Sequence, residues 1–181
     1  SVPCCRQDNI DDQGSRAYEG NRTGGRQGDP AAPSHPGRVQ AAPEVQVSGL
    51  EVLPTGYILV NDGELLSVHS VSQTLPLSNE NPDFVKATAL AGKFLGMRFF
   101  FLDAGSGANS PVSDEVISTV KKAVKFPLIV GGGLINSEKV RSAFEAGADL
   151  VVLGNTIEKD PGFLSEVLNI KRWYNHSLNI N

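Results

Sequence analysis

From Leu50 onward, short apolar runs alternate with amphipathic stretches, and turn residues mark nearly every junction. Gly56-Tyr57-Ile58-Leu59-Val60 predicts a buried strand, and a weaker extended stretch spans about Leu65 to Val71. Pro82 stands where a first helical residue is favoured. Phe84, Ala87, Thr88, Ala91 and Leu95 then keep helical spacing, and Gly96 supplies the stop. Phe99 to Leu102 predicts a second strand, ending in Asp103. A helix is expected from about Ser113, with Asp114 and Glu115 in its first turn and Lys121, Lys122 and Lys125 near its end, as the helix dipole favours. Pro127 to Val130 predicts a third strand running into Gly131-Gly132-Gly133. Asn136 or Ser137 then caps a helix carrying Val140, Ala143 and Phe144, which Gly147 closes. Leu150 to Leu153 predicts a fourth strand ending in Gly154-Asn155, and a last helix runs from Pro161 to about Ile170.

Strands apolar on both faces that alternate with amphipathic helices indicate a parallel sheet covered by helices. Glycines follow several successive strands, which favours a barrel: barrel sites gather loops from the C-terminal ends of all strands, whereas an open sheet concentrates them near one switch point. The rhythm supplies four strong strands, and 181 residues are short for a complete barrel of roughly 250. The expected fold class is therefore α/β, a partial (β/α)8 TIM barrel over residues 39–170, with residues 171–181 as a C-terminal tail in which Trp173 and Tyr174 pack against the barrel end.

The first segment differs in kind. Between Ser1 and Gly49 there is no Leu, Phe or Lys, and Arg6, Arg16, Arg22, Arg26 and Arg38 supply all the basic charge among recurrent Gly and Pro. Such a stretch buries too little apolar surface to offset its ordering entropy, so residues 1–38 are expected to be mostly disordered. Three readings stand for it: a natural disordered tail, an Arg/Gly-rich RNA-binding tail, or a segment translated out of frame. Sparse aromatics and the acids Asp8, Asp11, Asp12, Glu19 and Asp29 count against RNA.

Whole-chain totals narrow the function classes. A formal charge of −4 gives no electrostatic footprint for nucleic acid. No apolar run approaches the roughly 18 residues of a membrane span, and the N-terminus has no signal-peptide pattern. Cys4 and Cys5 are adjacent with no third cysteine, so a disulfide framework is not expected and the chain reads as cytoplasmic.

The candidate chemistry lies after the strands. Asp103-Ala104-Gly105-Ser106-Gly107, Gly131-Gly132-Gly133 and Gly154-Asn155 each follow one. Glycine lets backbone N–H groups approach an oxyanion without a Cβ in the way, and consecutive N–H groups cradle phosphate. A single Gly pair reads as a tight turn; three such segments after three consecutive strands read as a phosphate site. Asp103 ends an apolar strand where a carboxylate would face the ligand mouth, and a loop-stabilising role is equally open to it. His69 has no catalytic partner in the sequence.

These residues resemble the geranylgeranylglyceryl phosphate synthases. Pro54-Thr55-Gly56-Tyr57 with Ile58-Leu59, then Ser72-Gln73-Thr74-Leu75-Pro76, is similar to that family's fifth-strand region. Ala87 to Ala91 and Leu95-Gly96-Met97 continue the similarity, and Phe101 to Ala108 resembles the family's Tyr-Leu-Glu-Ala-Gly-Ser-Gly-Ala signature. Pro127 to Gly133 and Val152 to Asn155 resemble its last two strand ends, for coverage from about Val39 to Val167.

The resemblance implies strands 5–8 of the barrel and a prenyltransferase of ether-lipid biosynthesis that joins sn-glycerol 1-phosphate to a prenyl diphosphate. By matching motif, Phe101, Leu102, Asp103, Ala104, Gly105, Ser106, Gly107, Gly132, Gly133, Gly154 and Asn155 would hold glycerol phosphate, with Asp103 on its hydroxyls. Tyr57 would line the glycerol and prenyl side and, with Asp103, form the catalytic pair. Mg²⁺ would neutralise the diphosphate; the family's ligands are an Asp after the first strand and a Ser or Thr after the second, and nothing in residues 1–38 resembles either strand. No metal ligand is therefore assigned in this chain, and impaired activity is expected of it. The family also implies a homo-oligomer and peripheral membrane contact through the prenyl substrate. Phe101 departs from the usual Tyr, Asp103 from the commoner Glu, and Ser78 from a frequent Pro. Two other readings remain: another phosphate-ligand barrel, such as an isomerase or lyase, and a non-catalytic phosphate-binding fragment.

Overall fold

The computed structural model describes residues 4–9, 43–61 and 76–177, the first of these as backbone only. Five parallel strands form one sheet in sequential order: β1 (Cys4–Asn9), β2 (Val52–Leu59), β3 (Phe99–Asp103), β4 (Leu128–Gly131) and β5 (Leu150–Val152). Between and after them lie α1 (Pro82–Phe94), α2 (Asp114–Val124), α3 (Ser137–Ala146), α4 (Asn155–Lys159) and α5 (Phe163–Ser177). The strand order never reverses, so the described sheet has no switch point of the doubly wound kind.

The helices begin and end where local chemistry dictates. The Asn81 side chain accepts the Phe84 N–H, with Pro82 opening α1. Ser113 caps α2 by accepting the Val116 N–H, and Asn136, not Ser137, caps α3 through the Lys139 N–H at 2.9 Å. Gly147, at φ +118, closes α3 in a left-handed conformation that suits a residue without a Cβ. Helix α1 is rotated from the expected register: it buries Val85, Thr88, Ala89 and Gly92, whereas Phe84 and Leu95 remain exposed.

Packing is one-sided, and this decides the architecture. Ile58, Val60, Phe100, Leu102, Leu128 and Val130 point from the sheet into a core. Against them lie Val85 and Ala89 of α1, Val116, Ile117, Val120 and Val124 of α2, Val140 and Ala143 of α3, and Phe163, Val167 and Ile170 of α5. The strand registers Tyr57↔Phe101↔Ile129↔Leu150 and Asp103↔Gly131↔Val152 put the alternate positions on the other face. There Leu150 and Val152 are about half exposed (52% and 47%), so no described helix covers them. Helices on one face of a sequentially ordered parallel sheet, with an apolar opposite face, are the arrangement of a barrel wall rather than of a sandwich between two helix layers.

Three features go beyond those expectations. Within the segment expected to be disordered, Cys4–Asn9 pairs along β2 from Cys4↔Val52 to Asn9↔Tyr57. An unpaired strand edge is a row of unsatisfied N–H and C=O groups, and even a polar peptide can satisfy it. Strand β2 starts at Val52, earlier than its apolar run, because Pro54 costs only an N–H while its carbonyl still accepts from Arg98. Residues 171–177, expected as the start of a tail, continue α5. Tyr174 stacks on Phe144 with ring centroids 5.5 Å apart and donates its hydroxyl to the Phe144 carbonyl; Trp173 stays exposed beside Arg141. The extended stretch at 65–71 and His69 lie outside the described residues. No described helix is long and apolar enough to cross a membrane.

The sidedness is testable. Leu102→Ala, on the helix-packed face, should cost about 2–5 kcal/mol and lower the urea midpoint clearly, whereas Val152→Ala, on the open face, should cost less than about 1 kcal/mol. Equal losses for the two would contradict the assignment of faces.

Candidate functional site

Because Asp103, Gly131 and Val152 are register partners, β3, β4 and β5 end at one level, and the loops leaving them emerge side by side. All three loops line one cleft of ≈ 620 Å³. Of the residues anticipated from sequence, Phe101, Asp103, Ser106, Gly107, Gly132, Gly133, Gly154 and Asn155 line it. Leu102 and Ala104 do not: both are fully buried among the helix-facing core residues, since the strand pleat sends them away from the cleft. Gly105 lies buried beneath the loop and spends its N–H on Asp103.

Backbone closeness explains the glycines. Gly132 has φ +77, and a Cβ there would lie 2.7 Å from both the N and the O of Gly105. Gly133 has φ +67, and its Cβ would meet the Ser110–Pro111 peptide at 2.7–2.8 Å. Gly132 and Gly133 are thus two adjacent left-handed residues pressed against neighbouring backbone, and both line the cleft. No described residue accepts a hydrogen bond from the amides of Gly132, Gly133 or Asn155. Gly131 serves differently. Its missing Cβ leaves room for the Phe101 ring, which would otherwise be 2.9 Å away, so the ring lies across β4 as part of the cleft floor.

Asp103 is held on both carboxylate oxygens. Its Oδ1 accepts the Gly105 N–H at 2.8 Å and its Oδ2 accepts the Tyr57 hydroxyl at 2.5 Å. Tyr57 is itself fixed by an edge-on contact with Phe101, centroids 5.3 Å apart. Burial above all, then the Asp103 charge and the hydrogen bond to it, push the Tyr57 phenol far above its ordinary range, so it stays protonated and donating. Tyr57 does not line the cleft; it acts on it through Asp103. Each carboxylate oxygen retains a further acceptor site, so Asp103 can still receive a hydroxyl from a ligand. The loop that follows Asp103 is also tied from just beyond β2: the buried Asn61 donates its side-chain amide to the Ala104 carbonyl at 3.3 Å.

Residues not anticipated from sequence complete the wall. Leu134 and Ile135 follow the Gly triplet, and Thr156 and Lys159 come from α4, a five-residue helix where a loop was expected. Had that turn been anticipated, the four-residue spacing of Asn155 and Lys159 would have placed both on one face. The Ser106 hydroxyl reaches Asn155 Oδ1 at 3.4 Å, linking the first loop to the third.

The close approach at Gly132 yields a stability contrast. Gly132→Ala should destabilise the fold by at least about 1–2 kcal/mol from its positive φ alone, with the backbone clash added. Gly154→Ala meets no atom within 4 Å of the added methyl, so it should cost less than Gly132→Ala, its only penalty being a backbone at φ −122, ψ −98 that L-residues disfavour. Thermal melts of both variants check this; a Gly132→Ala melt matching the parent would contradict the geometry.

Several known proteins resemble this chain in sequence and fold. The family model described as PcrB family matches residues 38–171. A relative from Spirosoma linguale named geranylgeranylglyceryl phosphate synthase is 48% identical over 140 residues, 77% of this chain and 56% of its own length. One of the same name from Pyrococcus furiosus is 46% identical over 114 residues, 63% of this chain and 45% of its own length. Among solved structures, the (S)-3-O-geranylgeranylglyceryl phosphate synthase of Thermoplasma acidophilum, in complex with substrate sn-glycerol-1-phosphate, is 29% identical with a TM-score of 0.66, covering 74% of this chain and 53% of that one. The chain thus spans about half the length of the curated relatives it matches. With that family model matched across β2 to β5, the glycine loops and most of α5, this chain belongs to the PcrB family.

Proposed function

We propose that this chain carries the glycerol phosphate end of a prenyltransferase site, in which a prenyl group passes from its diphosphate to sn-glycerol 1-phosphate. The C3 hydroxyl oxygen attacks C1 of the prenyl chain and forms an ether C–O bond. The C1–O bond to diphosphate breaks with its electron pair leaving on the diphosphate, and the hydroxyl proton passes to a base. The backbone amides at Gly107, Gly132, Gly133 and Asn155 hold the phosphate, and Ser106 and Gly154 complete the rim. Asp103 accepts hydrogen bonds from the glycerol hydroxyls and aims the nucleophile; Tyr57 keeps that carboxylate oriented. Orientation of two bound reactants is the protein's main contribution to such a displacement. One observation carries the reading: three glycine-bearing loops after neighbouring strands line a single cleft together with the Asp103 carboxylate.

The same reading brings the prenyl diphosphate as second substrate, a bilayer as the source of that lipid, a cytoplasmic setting, and a homo-oligomer for the whole enzyme. Mg²⁺ belongs to it as the charge partner of the diphosphate. The described residues do not fit that ion: no group of three or more His, Cys, Asp or Glu comes together among them. No step at this cleft is routed through a metal.

Calorimetric titration of the chain with sn-glycerol 1-phosphate, then incubation with geranylgeranyl diphosphate and Mg²⁺ and mass analysis of the lipid extract, tests the proposal. Saturable binding is expected, and Asp103→Ala should weaken it about tenfold or more. Ether product would establish transfer by this chain, and binding without product would restrict the chain to the phosphate half. Absence of binding, or turnover of a phosphosugar in place of transfer, would overturn the proposal.

A further inference from the structure

We propose that Lys159 is a specificity-determining residue of the cleft: its ammonium offsets the second negative charge of a phosphate monoester and so selects a dianionic headgroup over a singly charged one. This deepens the functional reading above and rests on it.

Position supports the assignment first. Asn155 and Lys159 are the first and last residues of α4, four apart and therefore on one helical face, and both line the cleft together with Thr156. Helical side chains lean toward the N-terminus of their helix, so the Lys159 stem runs back over the turn that begins at Asn155, toward the glycine loops. A lysine stem is long enough to bridge one such turn, with roughly 5–6 Å between Cβ atoms.

Charge supports it second. Lys159 is the only cationic side chain among the described residues that line the cleft, whereas Asp103 and Asp160 are acidic. Backbone amides and the Asn155 carboxamide offer partial charges, so a phosphate dianion at the glycine loops would meet two carboxylates with no full positive charge except this one. Lys159 is also available. The ion pairs among the described residues are Lys86–Asp83 and Lys121–Asp149, and Asp160 turns Oδ1 toward the Gly162 N–H at 2.9 Å. Lys159 is exposed and makes no core contact, so its replacement leaves the fold intact.

The experiment is a charge cycle. The full chain and its Lys159→Met and Lys159→Arg variants are titrated with sn-glycerol 1-phosphate and with its monomethyl ester, which carries one charge where the free monoester carries nearly two at neutral pH. The parent is expected to prefer the free phosphate. Lys159→Met should lose roughly tenfold affinity for that ligand and much less for the ester, while Lys159→Arg keeps the parental preference. A purely structural role for Lys159 would weaken both ligands alike and leave their ratio unmoved. An unchanged ratio in Lys159→Met overturns the proposal while leaving phosphate binding at the loops standing. Failure of the parent to bind either ligand overturns the functional reading and this proposal with it.

Discussion

The site depends on one constraint, the parallel register that sets Asp103, Gly131 and Val152 side by side at the ends of three neighbouring strands. Register in a sheet moves whole faces: a slip of one residue would turn Asp103 and Phe101 toward the helices and bring Leu102 to the cleft. The apolar helix-packed face prevents that slip. Phe100, Leu102, Leu128 and Val130 are fully buried, and burying an Asp in their place would cost several kcal/mol. Core packing thus fixes where the chemistry stands, and Ala108 and Leu134 of the core reach the cleft wall themselves.

From that register the loops follow with little freedom. Gly132 can approach the Ala104–Gly105 backbone, and Gly133 the Ser110–Pro111 peptide, only because neither carries a Cβ. The carboxylate of Asp103 then closes its own loop on Gly105 and takes the hydroxyl of Tyr57 across from β2. Four neighbouring chain segments are coupled through two side chains and two glycines, so the cleft wall is held in place before any ligand arrives. The opposite boundary is different: the sheet face below the cleft is apolar and half exposed at Leu150 and Val152, as a wall of a larger barrel would be in isolation.

Much of this was legible in the sequence, for physical reasons. Strands β3 and β4 announce themselves because residues buried on one side and half-buried on the other are apolar without interruption. The glycine segments stood out because they followed strands in order. Failures came where the signal was short or diluted. Helix α4 has five residues and opens with Gly154-Asn155, which reads as a turn, so Thr156 and Lys159 went unnoticed. The end of α5 was hidden by Lys171, Arg172 and Asn175, although Phe163, Val167, Ile170 and Tyr174 recur at helical spacing. Strand β1 has no apolar alternation at all, and its pairing is a property of the β2 edge rather than of its own residues. Leu102 and Ala104 were included with the site by motif, but the two-residue period of the strand turns them away from it.

Amide resonances of the isotopically labelled chain, followed by two-dimensional NMR as sn-glycerol 1-phosphate is added, test the convergence of the three strand tips most directly. The account predicts concerted shifts at Gly107, Gly132, Gly133 and Asn155 that saturate at a single ligand concentration, with the helix-facing residues of α1 and α2 unmoved. Shifts confined to one of the three loops, or centred on the helical layer, would contradict it.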